Sequence, residues 1–298
     1  MIGLGNLIRR NTKLFFKDKG IFFTSLITPL ILLVLYATFL ANVYRDSFLA
    51  AIPSVFTMPD DLLDGIVGGQ LLSSLLAVSC VTVSFCANML MVQDKANGTI
   101  HDLTVTPVKP STLALGYYNS TSVSTLIISF AAAGACFVYL GFVGWYLSVG
   151  DVFLILLDVF LVSMFGTALS SLINFFLSSQ GQISAVGSIV SAGYGFICGA
   201  YMPISSFSEG LQTVISFLPG TYATCLLRNH ALAGTFREME GMNFPAELTN
   251  GLKDSIDMNV YFFDKAVSQP VMYAILGGSV LLCIGGYVLL HTLKKKNK

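Results

Sequence analysis

The stretch QDKANGTIHDLTVTPVKP, residues Gln93 to Pro110, is a polar segment wedged between two long apolar runs, and its reading decides the fold. Asn97-Gly98 is a turn signal, and Thr99 followed three residues later by Asp102 has the spacing of a capping box that starts a short helix. Pro107 and Pro110 stop it. Ile100, Leu103 and Val105 form an apolar set beside His101, Asp102 and Thr104, so the pattern predicts a short amphipathic helix with one face for another protein. The alternative is an ordinary turn in the headgroup region.

Composition places this segment in a membrane protein. Of the residues, 54% are hydrophobic and 11% charged, with a mean hydropathy of +0.76, against about 25% charged in soluble domains. The 16 basic and 16 acidic residues cancel, so net charge gives no indication of a nucleic-acid partner and only its distribution is informative. All six cysteines stand in apolar surroundings without CxxC spacing, which indicates neither a metal site nor a disulfide framework. Small buried hydrophobes are their expected role. The first apolar run follows basic residues that continue to Lys19, unlike a cleaved signal peptide, and is expected to remain as a span.

Working outward, residues 1–19 predict an amphipathic helix lying in the membrane interface, with Leu4, Leu7, Ile8, Leu14 and Phe15 opposite Arg9, Arg10, Lys13, Lys17 and Lys19. A charge-free run of 25 residues between Lys19 and Arg45 exceeds the roughly 20 needed to cross a bilayer. Pro29 predicts a kink in it. Arg45 to Asp64 reads as a short polar loop, and Gly65 to Gln93 as the second span. Then come charge-free runs of 41 residues, Pro110 to Gly150, and of 50 residues after Asp158. The longer is split by Ser178-Ser179-Gln180-Gly181-Gln182 into the fourth and fifth spans. The shorter holds one, with Trp145 and Tyr146 suiting the interfacial aromatic belt. Ala266 to Leu293 is the sixth. Six spans put both basic ends, Lys95 and Lys109 on one side, 11 of the 16 Lys and Arg residues, and the positive-inside rule makes that side cytoplasmic.

Met202 to Gln269 is expected outside. Ser206 and Glu209 have capping-box spacing, and Leu211, Val214, Ile215 and Leu218 follow helical periodicity up to Pro219-Gly220. Tyr222 to Leu227 adds a second short apolar piece. Together they predict a re-entrant helical hairpin in the outer leaflet, or a pair of surface helices. From Arg228 to Lys265 the chain turns polar and acidic and reads as an exposed cap.

Phosphate-loop and HExxH motifs are absent, and the three histidines are far apart in sequence. The one acid clearly inside a span is Asp158, roughly 10 Å past the outer end of the fourth helix. It is a candidate for substrate contact or gating, or an acid close enough to the interface for water to reach. Arg45 and Arg228 are its candidate partners.

This organisation resembles the permease subunits of ABC-2-type transporters. Six spans, an amphipathic N-terminal helix and the loop DKANGTIHDLTVTPVKPSTL carry the likeness, with GAYMPISSFSEGLQTVISFLPGTYATCLLRN, Gly199 to Asn229, as the fifth-span exit. Nearly all of residues 1–298 would then be one transmembrane domain, with an interfacial helix at 1–19, a coupling-helix loop at 93–110 and an external hairpin and cap at 202–269. The implied fold is an all-α polytopic membrane protein with six transmembrane helices. In such a family the loop docks on an ATPase, which nominates Asp94, Gly98, Thr99, Ile100, Asp102, Leu103 and Pro107 for ATPase coupling. Asp158, Leu211, Ile215, Leu218 and Pro219 are the candidates for translocation and gating. The resemblance further implies two copies of a separate ABC ATPase that binds ATP and Mg, no cofactor in this chain, a second permease subunit in a homo- or heterodimer, and no enzymatic activity here. Export of a drug, antimicrobial peptide or lipid is the leading expectation. Polysaccharide or glycolipid export on the same fold, and a membrane sensor or assembly role, are the alternatives.

Overall fold

A computed structural model describes residues 2–51, 58–105, 108–263 and 265–296. The chain is an all-α polytopic membrane protein. Five helices among the described residues are long and apolar enough to cross a membrane: Lys19–Asp46, Asp60–Ala96, Pro110–Val143, Val149–Asn174 and Gln269–Leu293. The expected fifth span is the helix Gln180–Ile197, whose 18 residues measure about 27 Å. Gln180 and Gln182 in its first turn, more than its glycines and serines, keep it outside that apolar group, so a count of six rests on this helix.

Helix α1, Ile2–Lys17, turns Leu7, Asn11 and Phe15 inward at four-residue spacing and leaves Arg9, Lys13 and Lys17 exposed. It crosses α7, Pro110–Val143, at Gly116, where an added Cβ would lie 3.0 Å from Leu7 Cβ. Asp18 caps α2, Lys19–Leu35, by accepting a hydrogen bond from the Ile21 N–H. The α-helix runs through Pro29, and the irregularity comes later, as a π-turn at Tyr36–Leu40 before α3, Ala41–Ala51. The polar loop expected from Arg45 is thus partly helical. Arg45 lies within α3 and pairs with Asp60 and Asp64 at the start of the next helix, which is how a charged residue continues the helix rather than ending it.

Helix α4, Asp60–Ala87, is buried on almost every side and is the mast of the bundle, packed by α2, α7, α8 (Val149–Asn174), α9 (Gln180–Ile197) and α11 (Pro219–Gly241). At Asn88 it gives way to α5, Met89–Ala96, and the Asn88 amide donates to Ser170 Oγ at 3.2 Å and Ser171 Oγ at 3.1 Å on α8. Capping boxes start both following helices: Ser148 with Asp151 opens α8, and Ser179 with Gln182 opens α9 at the expected polar break.

The region expected outside departs from the sequence reading in three respects. Ser206 belongs to a 3-10 turn, Ile204–Ser206, so α10, Glu209–Ser216, starts after Ser208 without a side-chain cap. Along α10, Ile215 is buried, whereas Leu211 and Val214 are 43% and 57% exposed. Finally, the second arm is no short piece. Helix α11 continues through Arg228 and His230 for 23 residues and is largely buried against α4, α8 and α13, Gln269–Lys296. The expected cap therefore begins only after Gly241, with α12, Ala246–Ser255, and a two-stranded hairpin, β1 Tyr261–Phe262 and β2 Lys265–Ala266, in which Tyr261 faces Ala266. Arg228, which reads as the start of a solvated cap, is interior because it meets partners inside the bundle, while Arg237, Glu238 and Glu240 further along the helix are exposed.

Candidate functional site

The nominated residues separate into two groups at opposite ends of the bundle. At the basic end, Asp94 closes α5 and is 6% exposed. Arg10 of α1 grips it with both guanidinium nitrogens, at 2.8 and 3.3 Å, and Tyr117 of α7 donates to it at 2.6 Å. The Asp94 hydrogen bond holds the Arg10 guanidinium above its ordinary pKa, against the cost of desolvation. Lys95 points the other way and donates to the carbonyls of Asn174, Phe175 and Leu177 at 2.9, 2.8 and 3.1 Å, closing the C-terminal end of α8. Two neighbouring charges thus fasten α5 to α1, α7 and α8.

Beyond them the chain turns at Gly98, whose φ of +78° favours glycine; nothing lies within 4 Å of an added Cβ, so backbone conformation and not crowding is the requirement. Helix α6, Thr99–Val105, follows, with Thr99 inside its first turn and not ahead of it. The apolar face anticipated for another protein is divided. Ile100 and Leu103 pack on their own bundle, around a cavity of about 190 Å³ shared with Val108, Leu113, Phe175 and His291. Val105, 74% exposed, and Asp102 face outward, and the exposed His101 stands at the edge of the cavity. Pro107 lies outside the described residues.

At the acidic end, three consecutive residues in the middle of α11 point in different directions and tie the bundle together. Arg228, fully buried, donates to the Ile256 carbonyl at 2.7 Å, the Gly199 carbonyl at 2.9 Å and Ser74 Oγ of α4 at 3.3 Å, and pairs with Asp257 at 3.4 Å. Asn229 donates to the Met258 carbonyl at 2.6 Å. His230 Nδ1 meets Asp158 Oδ2 at 2.6 Å, and Tyr273 of α13 donates to Asp158 Oδ1, also at 2.6 Å. The His230 and Tyr273 rings stack with centroids 6.3 Å apart. Burial raises the Asp257 carboxyl above the ordinary range, while Arg228 and the Ile204 N–H work against it.

Asp158 therefore has neither Arg45 nor Arg228 as partner. Arg45 serves Asp60 and Asp64, and Arg228 serves Asp257. Nor does Asp158 lie beside the α10 set, because His230 is eleven residues along α11 from Pro219, about 16 Å. Ile215 and Pro219 instead frame the α10–α11 joint, where Thr221 Oγ1 donates to the Ile215 carbonyl at 2.9 Å. Arg10, Tyr117, His230, Tyr273 and Asp257 were missed from sequence. The one legible clue was the polar triplet Arg228-Asn229-His230 directly after an apolar piece. No group of three or more His, Cys, Asp or Glu side chains fit to hold a metal occurs among the described residues.

The bundle combines helices of membrane-crossing length with an amphipathic N-terminal helix fastened to a short helix at its basic end and a buried polar knot towards the other. The chain belongs to the ABC-2 type transporter family, whose model matches residues 3–231. Curated proteins contain no match to it. Membrane domains of this family generally work in complexes with ABC ATPases.

Proposed function

We propose that this chain is the permease subunit of an ATP-driven exporter of bacterial type, moving an amphipathic compound such as a drug, antimicrobial peptide or lipid across the cytoplasmic membrane. Two copies of a separate ABC ATPase bind ATP and Mg beneath it. A second permease subunit, identical or not, completes the core. The observation that carries the reading is the fastening of α5: Asp94 to α1 and α7, Lys95 to the end of α8. A push on α6 by a closing ATPase reaches three helices at once through these bonds, and biases the bundle between inward- and outward-facing arrangements. His101, Asp102 and Val105 meet the ATPase, Ile100 and Leu103 seat the lever on the bundle, and Gly98 sets its angle.

Helix α9 supports the second subunit. Its exposed residues combine Ser184, Ala185, Ser188, Ser191 and Ala192, small or polar side chains that allow close helix contact, with the apolar Ile189, Phe196 and Ile197. The joint at Ile215, Leu218 and Pro219 and the exposed Leu211 border the exit, and the Asp158 knot holds it shut from within the bundle.

Co-purification with the ATPase, and hydrolysis in nanodiscs, test the reading. Val105→Asp is expected to lower the amount of bound ATPase. Asp94→Asn is expected to retain the complex and lose about ten- to a hundredfold in substrate-stimulated hydrolysis, the loss of a charge-assisted bond of about 1.5–3 kcal/mol. Unaltered stimulation in Asp94→Asn at wild-type expression would remove the lever.

A further inference from the structure

Where α1 lies on α7, an open groove of about 580 Å³ is lined by Ile8, Arg9, Thr12, Lys13 and Phe16 of α1 and by Val123 of α7. Its lining holds two cations and no acid. Arg9 and Lys13 stand one turn apart, both exposed, and neither makes an ion pair or a hydrogen bond among the described residues. Like charges four residues apart repel, so an anion between them is favoured. Thr12 lies between the two in sequence, and its hydroxyl is buried without a hydrogen-bond partner among the described residues, a donor left over beside the cations. Apolar surface continues from the same place. Val123, Ile127 and Phe130 are exposed on α7 at the i, i+4, i+7 spacing of one helix face. They form a strip about 10 Å long, directed away from the basic end of the bundle.

Helix α2 begins its membrane-crossing run at Lys19, directly after α1 ends, so this groove lies where the polar surface of a bilayer meets its hydrocarbon. Two cations at that level with an apolar strip leading inward match a molecule that is anionic at one end and apolar at the other. A free phosphate compound leaves the strip uncovered, and so does the acidic surface of a water-soluble protein. We propose that the groove between α1 and α7 binds an anionic phospholipid, its phosphate between Arg9 and Lys13 and an acyl chain along Val123, Ile127 and Phe130. Arg10, between the two cations in sequence, holds Asp94, so the bound lipid steadies the helix that fastens α5. The inference is separate from the transport reading, since neither an ATPase nor a direction of transport enters the argument.

Native mass spectrometry of the full chain in detergent tests it, with dioleoyl phosphatidylglycerol, dioleoyl phosphatidylcholine and, as a phosphate without chains, glycerol 3-phosphate. Phosphatidylglycerol is expected to fill a saturable site at least tenfold more tightly than phosphatidylcholine. That preference is expected to vanish in the double variant Arg9→Gln/Lys13→Gln and to persist in Lys265→Gln, which removes an exposed cation outside the groove. Ile127→Ser is expected to weaken both lipids severalfold and keep the preference. The proposal is overturned if the two lipids bind alike, if the double variant keeps the preference, or if excess glycerol 3-phosphate displaces phosphatidylglycerol, which assigns the groove to free phosphate compounds. Loss of a co-purified ATPase from the double variant with its lipid preference intact assigns the groove to a protein and overturns it as well.

Discussion

Asp158 is completely buried, and its two oxygens are taken by side chains from two other helices, His230 of α11 and Tyr273 of α13. Removing one partner leaves a charge or a polar atom without compensation, at a cost of about 3–5 kcal/mol for a buried pair. His230→Ala is therefore expected to lower the thermal unfolding midpoint in nanodiscs strongly. Asp158→Asn, which keeps an acceptor for Tyr273, should cost less, about 1–2 kcal/mol. Equal midpoints for His230→Ala and wild type would show that the knot contributes nothing to the fold. At this scale the sequence reveals which residue is unusual and conceals what it touches. A lone acid in an apolar run stands out from its own neighbours. Its partners lie 72 and 115 positions away, and helix packing, not spacing along the chain, brings them to it. Arg10 and Tyr117 were hidden around Asp94 for the same reason.

Among the elements, α11 is the one that hydropathy misjudged. Read locally, Arg228-Asn229-His230 ends an apolar piece; in the bundle each of these side chains has interior partners, and the helix runs on to Gly241. Glycines let it do so. A Cβ on Gly234 would lie 1.9 Å from the Tyr146 carbonyl oxygen, and one on Gly69 of α4 would lie 2.6 Å from Leu232. Gly234→Ala is accordingly expected to destabilise by at least about 3 kcal/mol, above the usual cost of overpacking because the obstacle is backbone. Gly251→Ala in exposed α12 meets nothing within 4 Å and should stabilise by about 0.5–1 kcal/mol. Limited proteolysis alongside thermal unfolding checks the pair, and a tolerated Gly234→Ala would mean that α11 does not pack against the α7–α8 turn. By contrast, the breaks at Ser178–Gln182 and at Asn97-Gly98 were legible because a cap and a left-handed glycine act locally.

For the whole molecule, length and charge-free runs were enough to find the apolar helices, since a bilayer imposes a minimum length that soluble folds do not. The boundary between α2 and α4 was less legible, because Arg45 is neutralised by Asp60 and Asp64 across the turn and no longer signals water. The expected orientation, with both termini cytoplasmic, rests on the distribution of basic residues. Single cysteines placed at exposed Asn97 and Glu247, with the incompletely buried Cys86 and Cys283 replaced by alanine, give the measurement. In intact cells an impermeant maleimide is expected to label position 247 and spare position 97. The reverse pattern would invert the topology.

The family match ends at residue 231, one position after His230. Asp158, Arg228 and His230 lie within the matched part, whereas Asp257 and Tyr273 lie beyond it. The knot is thus stitched across that seam. A hybrid protein joined there to the tail of another family member would inherit a sealed guanidinium and a sealed carboxylate from its front half. It would fold only if the grafted tail brought an acid and a hydroxyl to the same two places. The last quarter of the chain is therefore not an interchangeable appendage: it completes the electrostatic circuit that the first three quarters leave open.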